Sequence, residues 1–274
     1  MGQKIFLTGA SAGIGLLTAQ ALLARGHEVW GTARDTARLP QLDRFHPVAL
    51  DLTDAASCEQ ALRGALAEAG RFDVLINNAG AGVFGPLEAF SDDEFRRQWE
   101  LLVAGPLRLI RLILPSMRER NAGLIVNVAS LAAEFPLPFL APYSIGKAAL
   151  GALSEGLALE LAHTGIRVID VRPGDFATDF HTSTQRIGDA LAPAYQPNLE
   201  NAWKAIDHNM THAPDPRQVS DVLVKIVEGR VRRPVVAVGD IFQARIAPFL
   251  VRLVPRGWVR WGLRLYYGLK SGPR

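Results

Sequence analysis

Three side chains in this 274-residue chain have the types and spacing to handle a proton together. Ser130 precedes Tyr143 by thirteen positions, and Lys147 follows Tyr143 by four. On a helix, residues at i and i+4 share a face. An ammonium beside a phenol favours the phenolate and lowers the phenol pKa. The expectation is therefore a tyrosine made usable as an acid or base near neutral pH. The plainer reading is a Tyr–Lys pair on a helix face, with Ser130 capping a strand–loop junction.

A second signal lies at the start of the chain, in Thr8-Gly-Ala-Ser-Ala-Gly-Ile-Gly15. Lys4–Thr8 reads as a short buried strand and Gly13–Arg25 as a helix closed by Gly26. Glycine between them permits a tight turn and the close approach of a pyrophosphate to N–H groups at the helix start. Further strands are expected at Glu28–Ala33, Pro47–Asp51, Phe72–Asn77, Gly123–Val128, Arg167–Val171 and Val235–Val238. Helices are expected at Ala55–Ala69, at Asp92–Arg120 with a Ser91/Glu94 capping box, and at Tyr143–Thr164. Strands alternating with helices predict an α/β fold of the Rossmann type, a doubly wound parallel sheet of about seven strands. Ligands then sit at the carboxyl ends of the strands. Gly9–Gly15, Arg34, Asp51, Asn77–Gly80, Ser130 and Pro173-Gly174 gather there.

Gly9-xxx-Gly13-x-Gly15, Asn77-Asn-Ala-Gly80, Ser130, Tyr143-xxx-Lys147 and Pro173-Gly174, in this order and spacing, resemble the common short form of the short-chain dehydrogenase/reductase family. The resemblance covers about residues 3 to 240. It implies that Gly9, Ser11, Gly13, Ile14 and Gly15 line the pyrophosphate and adenosine ribose of a nicotinamide dinucleotide. Asp51, with Leu52 beside it, would meet the adenine amino group. Asn78, Ala79 and Gly80 would pass along the cofactor ribose. Pro173, Gly174 and Phe176 would flank the nicotinamide, and Thr178 would hold its carboxamide. Tyr143 becomes the proton donor in reduction and the acceptor in oxidation, Ser130 a donor to the substrate oxygen, and Lys147 also a holder of the nicotinamide ribose. Bringing a phenol from a pKa of about 10 to near 7 takes roughly 4 kcal/mol. Lys147 and a positive nicotinamide would supply this together.

The end of the second strand bears on the choice of nicotinamide. An acid there pairs with the ribose 2′-hydroxyl, and a cation accepts a 2′-phosphate. The sequence places Ala33 where NAD-preferring relatives carry Asp, and Arg34 follows, so NADP(H) is expected. The alternative makes Arg34 a surface residue and gives Asp35 the acidic role. The family's helix also carries an Asn shortly before a Gly; here Leu102 stands in its place, in Trp99-Glu-Leu-Leu-Val-Ala-Gly105. A leucine has no amide, so the proton route behind Lys147 must use the Leu102 main-chain carbonyl in a locally opened helix, or another path.

The expected reaction is hydride transfer between NADP(H) and a carbonyl or secondary alcohol, with a non-catalytic NADPH-binding regulator and a peripheral membrane enzyme acting on lipid-like substrates as alternatives. Phe135–Phe139 and the stretch at about 179–215, with Tyr195 and Trp203, predict a roomy apolar pocket for lipophilic substrates. His181, His208 and His212 match no metal-site spacing and are read as solvated loop residues, so no metal is expected.

Hydrophobic residues are 49% and charged residues 21%, as in globular proteins. Cys58 is the lone cysteine, which excludes an internal disulfide. No signal peptide, myristoylation pattern or membrane-spanning run is read, and a cytoplasmic location is expected. The net charge of +3 is uneven: Ile241–Arg274 holds seven Lys/Arg and no acid, which leaves 23 basic and 27 acidic residues, or −4, for the rest. That argues against nucleic-acid binding by the main body. A single domain over 1–240 is expected, with 241–274 as a basic amphipathic helical extension. Arg252, Arg256, Arg260 and Arg264 alternate there with Trp258, Trp261, Tyr266 and Tyr267, and Pro255 and Gly257 divide it into two helices. The extension either covers the substrate mouth or a subunit interface, or lies on an anionic membrane. The family resemblance implies a homodimer or homotetramer.

Overall fold

The computed structural model describes residues 2–178, 180, 184–240, 244, 246 and 253–271. Seven strands form one sheet, all neighbours parallel, in the order β3-β2-β1-β4-β6-β7-β9. They are β1 (Lys4–Leu7), β2 (Glu28–Ala33), β3 (Phe45–Ala49), β4 (Val74–Asn77), β6 (Gly123–Val128), β7 (Ile166–Pro173) and β9 (Val235–Val238). β5 (Val83–Phe84) and β8 (Gln185–Arg186) pair separately. The helices are α1 (Gly13–Ala24), α2 (Ala55–Ala69), α3 (Asp92–Trp99), α4 (Gly105–Glu119), α5 (Ala141–Glu160), α6 (Ala192–Tyr195), α7 (Asn198–Thr211), α8 (Arg217–Val227) and α9 (Arg256–Tyr266).

The central strands are continuous apolar runs because both faces of the sheet are covered. Successive side chains point to opposite faces. Ile5, Leu7, Val29 and Ile76 accordingly pack with Leu22 of α1 and Leu223 and Val227 of α8. Phe6, Trp30, Leu75 and Ile125 pack on the other side with Leu62 of α2 and Leu109 and Ile113 of α4. This two-sided core holds the carboxyl ends of the strands at one edge, where the motifs lie.

The expected helix over Asp92–Arg120 is not continuous. The Ser91/Glu94 capping box starts α3 as read from the sequence. Glu100–Ala104 then forms a wide turn in which the Gly105 N–H reaches back five residues to the Glu100 carbonyl. Pro106 explains the break, since a proline has no N–H to give the carbonyl four residues before it, which is that of Leu102. Gly105 completes it: a Cβ there would lie 2.7 Å from the Leu52 carbonyl oxygen. The helix after Tyr143 also differs, beginning at Ala141 and ending at Glu160. His208 lies within α7 and His212 at its end, so the expected loop is a helix there, and His181 lies outside the described residues. Among the described residues no helix is long and apolar enough to cross a membrane.

Candidate active site

A cleft of about 850 Å³ runs along the carboxyl edge of the sheet. The residues expected to act in catalysis or to hold the cofactor all line it: Gly9, Ser11, Gly13, Ile14, Gly15, Arg34, Asp51, Leu52, Asn78, Ala79, Gly80, Ser130, Tyr143, Lys147, Pro173, Gly174, Phe176 and Thr178; Asn77 is instead buried in the sheet, donating to Asn127 at 2.8 Å. Apart from Tyr143 and Lys147, which lie on α5, they lie at or just beyond the ends of six different strands, which the parallel sheet brings together.

The glycine turn is tight for a physical reason. Gly9 has φ +71°, and a Cβ on Gly15 would lie 1.9 Å from the Gly9 carbonyl oxygen. Helix α1 starts behind this turn with Ala12 at its cap, no side-chain cap hydrogen bond and no acid in its first turn. Its first N–H groups and the positive end of its dipole are thus left for an anion in the cleft. The turn is tied to the next strand end by Thr8, whose hydroxyl accepts from the Asn78 N–H (2.9 Å) and the Ala79 N–H (3.0 Å). The Asn78 side chain donates back to the Thr8 and Gly9 carbonyls at 3.0 and 3.2 Å. Thr178 faces Gly13 across the cleft, with its side chain 3.6 Å from where a Cβ would stand. This cradle fits a dinucleotide pyrophosphate.

At the end of β2, Arg34 is exposed on the cleft wall, and Arg38, which the sequence reading missed, lines the same wall. Asp35 is exposed and lines this wall too, with one carboxylate oxygen accepting the Ala37 N–H at 3.0 Å and capping the turn Thr36–Arg38. Asp51 is partly engaged, one oxygen accepting from the Thr53 N–H (2.9 Å) and hydroxyl (2.7 Å).

At the far end Ser130, Tyr143 and Lys147 converge. Ser130 follows β6 and caps a short turn, accepting the Ala132 N–H at 3.0 Å. The capping role and the position beside Tyr143 therefore coexist in one hydroxyl. Lys147 is buried and donates to the Val128 carbonyl at 2.7 Å, with its Nζ 5.8 Å from the Tyr143 ring centre. The protein's own groups do not lower the phenol pKa as the spacing predicted. Burial pushes Tyr143 up to about 12, with the Ser130 hydrogen bond pulling the other way. Burial also pushes the Lys147 ammonium down to about 8, against the pull of Asp170. Desolvation is the largest effect on both groups, and on Tyr143 the negative charge of Asp175 adds to it.

Leu102, 1% exposed, packs beside Lys147. A Cβ on Gly80 would lie 3.3 Å from Leu102 Cδ2 and 3.4 Å from Lys147 Nζ. Behind Lys147 is a charged cluster that sequence reasoning missed. Arg172 donates to Asp170 at 2.7 Å and to Glu134 at 2.6 Å, and is 3.4 Å from Glu155. Asp170 is fully buried, and burial pushes its carboxyl pKa up against the pull of Arg172 and Lys147. Two charged residues alternating along β7 were the available signal, since a doubly covered strand leaves them no solvent.

The open end of the cleft is lined by Leu137, Leu140, Phe180, Ile206, Met210 and Tyr267. The expected apolar pocket is present, but Tyr195 and Trp203 stand behind it. Trp203 packs on Phe84 at 4.9 Å and Tyr195 on Phe139 at 5.9 Å. Tyr267, from the basic extension, is buried there. No cluster of three His, Cys, Asp or Glu among the described residues could hold a metal.

Residues 3–187 match the family model described as short chain dehydrogenase. A 3-ketodihydrosphingosine reductase of Bacteroides thetaiotaomicron is 33% identical over 270 residues, 98% of this chain and 99% of its own. A solved short-chain dehydrogenase of Streptomyces avermitilis superposes with TM-score 0.81 at 32% identity, over 95% of this chain and 97% of its own. One from Burkholderia cenocepacia in complex with NADP gives 0.74 at 28%, over 98% of both chains. A 3-ketoacyl-(acyl-carrier-protein) reductase of Brucella melitensis complexed with NADH gives 0.72 at 26%, over 86% of this chain and 96% of its own. With the seven-stranded sheet and the cleft at its carboxyl edge, these likenesses establish that the chain belongs to the short-chain dehydrogenase family of oxidoreductases.

Proposed function

We propose that the protein is an NADP(H)-dependent reductase of a lipophilic ketone, with Tyr143 as the proton donor. The observation that carries this reading is the convergence of Ser130, Tyr143 and Lys147 between a dinucleotide-shaped cradle and an apolar mouth. The bound nicotinamide would supply or accept the hydride. Gly9, Ser11, Gly13, Ile14 and Gly15 would hold its pyrophosphate, Asp51 and Leu52 its adenine end, and Asn78–Gly80 the neighbouring ribose. Pro173, Gly174, Phe176 and Thr178 would border the nicotinamide. Ser130 would hold the substrate oxygen by a hydrogen bond while Tyr143 gives that oxygen its proton. Lys147 would hold the nicotinamide ribose and favour the tyrosinate left behind. The preference for NADP(H) rests on Arg34 and Arg38 at the wall and on the use of Asp35 as a turn cap. The Pro106 break supports a main-chain route at Leu102 for proton resupply, in place of a side-chain amide.

The similarity to a 3-ketodihydrosphingosine reductase, together with the apolar mouth, makes long-chain amino ketones the first substrates to test. The experiment is a carbonyl panel of graded chain length with NADPH and with NADH. The reading expects NADPH oxidation that strengthens with chain length; turnover confined to NADH and small polar carbonyls refutes it.

A further inference from the structure

Helix α9 has no buried residue along its length. Its half-buried Val259 and Leu263 face the body, and Leu263 packs on the core cluster at the substrate mouth. Trp258, Trp261 and Leu265, at i, i+3 and i+7, share another face and are 69, 60 and 62% exposed. The two indoles lie edge to face, 6.5 Å apart. Arg256, Arg260 and Arg264, at i, i+4 and i+8, form the flank beside them. Leu253 and Val254, just before the helix, are also exposed.

We infer that α9 is an interfacial helix that seats the protein on an anionic lipid surface with the substrate mouth beside the membrane. Charge favours that occupant. The described stretch Leu253–Ser271 has four cations and no acid, while residues 1–240 carry a net −4, so an anionic surface is drawn to this helix. Tryptophan is suited to the headgroup level, where its ring is apolar and its N–H remains wet. Area argues against a second copy. At about 150–250 Å² per aromatic side chain, the exposed parts of two indoles and a leucine supply roughly half of the ~800 Å² per partner of a stable interface. The helix leads directly into Tyr267, which lines the cleft, and the chain beyond is held by Asn201 and Asn198, which donate to the Gly268 and Lys270 carbonyls at 2.8 and 3.0 Å. A substrate leaving the lipid would thus meet Tyr267, Met210 and Ile206 first. The docking is independent of which carbonyl the site reduces.

The test is flotation of the full-length protein with vesicles of phosphatidylcholine alone and of phosphatidylcholine mixed with phosphatidylglycerol. The protein should float with the mixed vesicles, much less with the neutral ones, and less as salt rises. Trp258→Ser with Trp261→Ser, and separately Arg256→Gln with Arg260→Gln and Arg264→Gln, should each cut binding by more than about tenfold. Both variants should retain NADPH oxidation with a water-soluble ketone, which also shows that they fold. Should a variant not fold, the lipid-charge and salt dependence of the unaltered protein decides. The inference is overturned if the protein floats with neither vesicle or with both equally. It is also overturned if folded variants bind as before, or if the tryptophan variant turns a lipid-free dimer into a monomer.

Discussion

Lys147 sits where its charge is costly. Its folded pKa is depressed from 10.5 to about 8, mainly by burial. A depressed group contributes stability that is present above its unfolded pKa and is lost as the pH falls through its folded one. Lys147→Met removes this dependence. Its melting free energy relative to the unaltered protein should rise as the pH falls from 10.5 to 8, by up to about 3 kcal/mol, and stay level below that. A difference independent of pH would show that burial does not govern this lysine. Arg34 offers a second test at this scale. Loss of one charge-assisted hydrogen bond is worth about 1.5–3 kcal/mol, so Arg34→Ala should reduce the preference for NADPH over NADH by roughly 10- to 100-fold in kcat/KM. An unchanged ratio would mean that Arg34 does not meet a 2′-phosphate. The trio itself was readable from spacing, because four residues on a helix bring Tyr143 and Lys147 to one side. The direction of the Tyr143 shift was not readable, since it depends on how far α5 and β6 exclude water.

The elements that position these groups differ in how local their causes are. The glycine turn and α1 were legible because each depends on adjacent residues. Gly15→Ala should impair both folding and cofactor binding, for its Cβ would stand 1.9 Å from the Gly9 carbonyl oxygen. We expect a loss of more than about 1 kcal/mol in denaturant unfolding together with weakened NADPH binding in titration calorimetry. Normal affinity in a fully stable variant would mean that the turn relaxes freely. The wide turn at Glu100–Ala104 was half legible: Pro106 is a local signal, but the press of Gly105 on Leu52 is not. The charged cluster on β7 was not legible, since Asp170, Arg172, Glu134 and Glu155 meet only after β7, α5 and the loop following β6 pack. Asp170→Asn leaves Arg172 with less compensation and should cost about 3–5 kcal/mol. It also removes the one charge that raises Lys147, so the alkaline limb of the kcat/KM profile should move to lower pH. A stability loss without that movement would confine Asp170 to a structural role.

The whole molecule is a Rossmann-type sheet with a cleft along its carboxyl edge and an apolar mouth at one end of that cleft. The parallel sheet of seven strands followed from the alternation of strands and helices, and the cleft from the rule that ligands meet strand carboxyl ends; the order of the strands did not, because alternation allows more than one. Coverage of the substrate mouth by the basic extension was one of the places the sequence left open, because Tyr267 lines the cleft with Asp175, Ile206 and Met210 from segments far apart in the chain. Leu102 tests how protons reach the site. If resupply limits the reaction, Leu102→Asn should raise kcat with NADPH and a good ketone. An unchanged or lower rate would indicate that the main-chain route opened by Pro106 suffices. The account as a whole depends on the phenol of Tyr143. The most direct measurement is single-turnover NADPH oxidation by Tyr143→Phe, with NADPH affinity measured on the same protein. A phenylalanine keeps the ring and removes the proton. The account predicts a rate lowered by about a hundredfold to ten-thousandfold with cofactor affinity little changed. A rate close to that of the unaltered protein would contradict it.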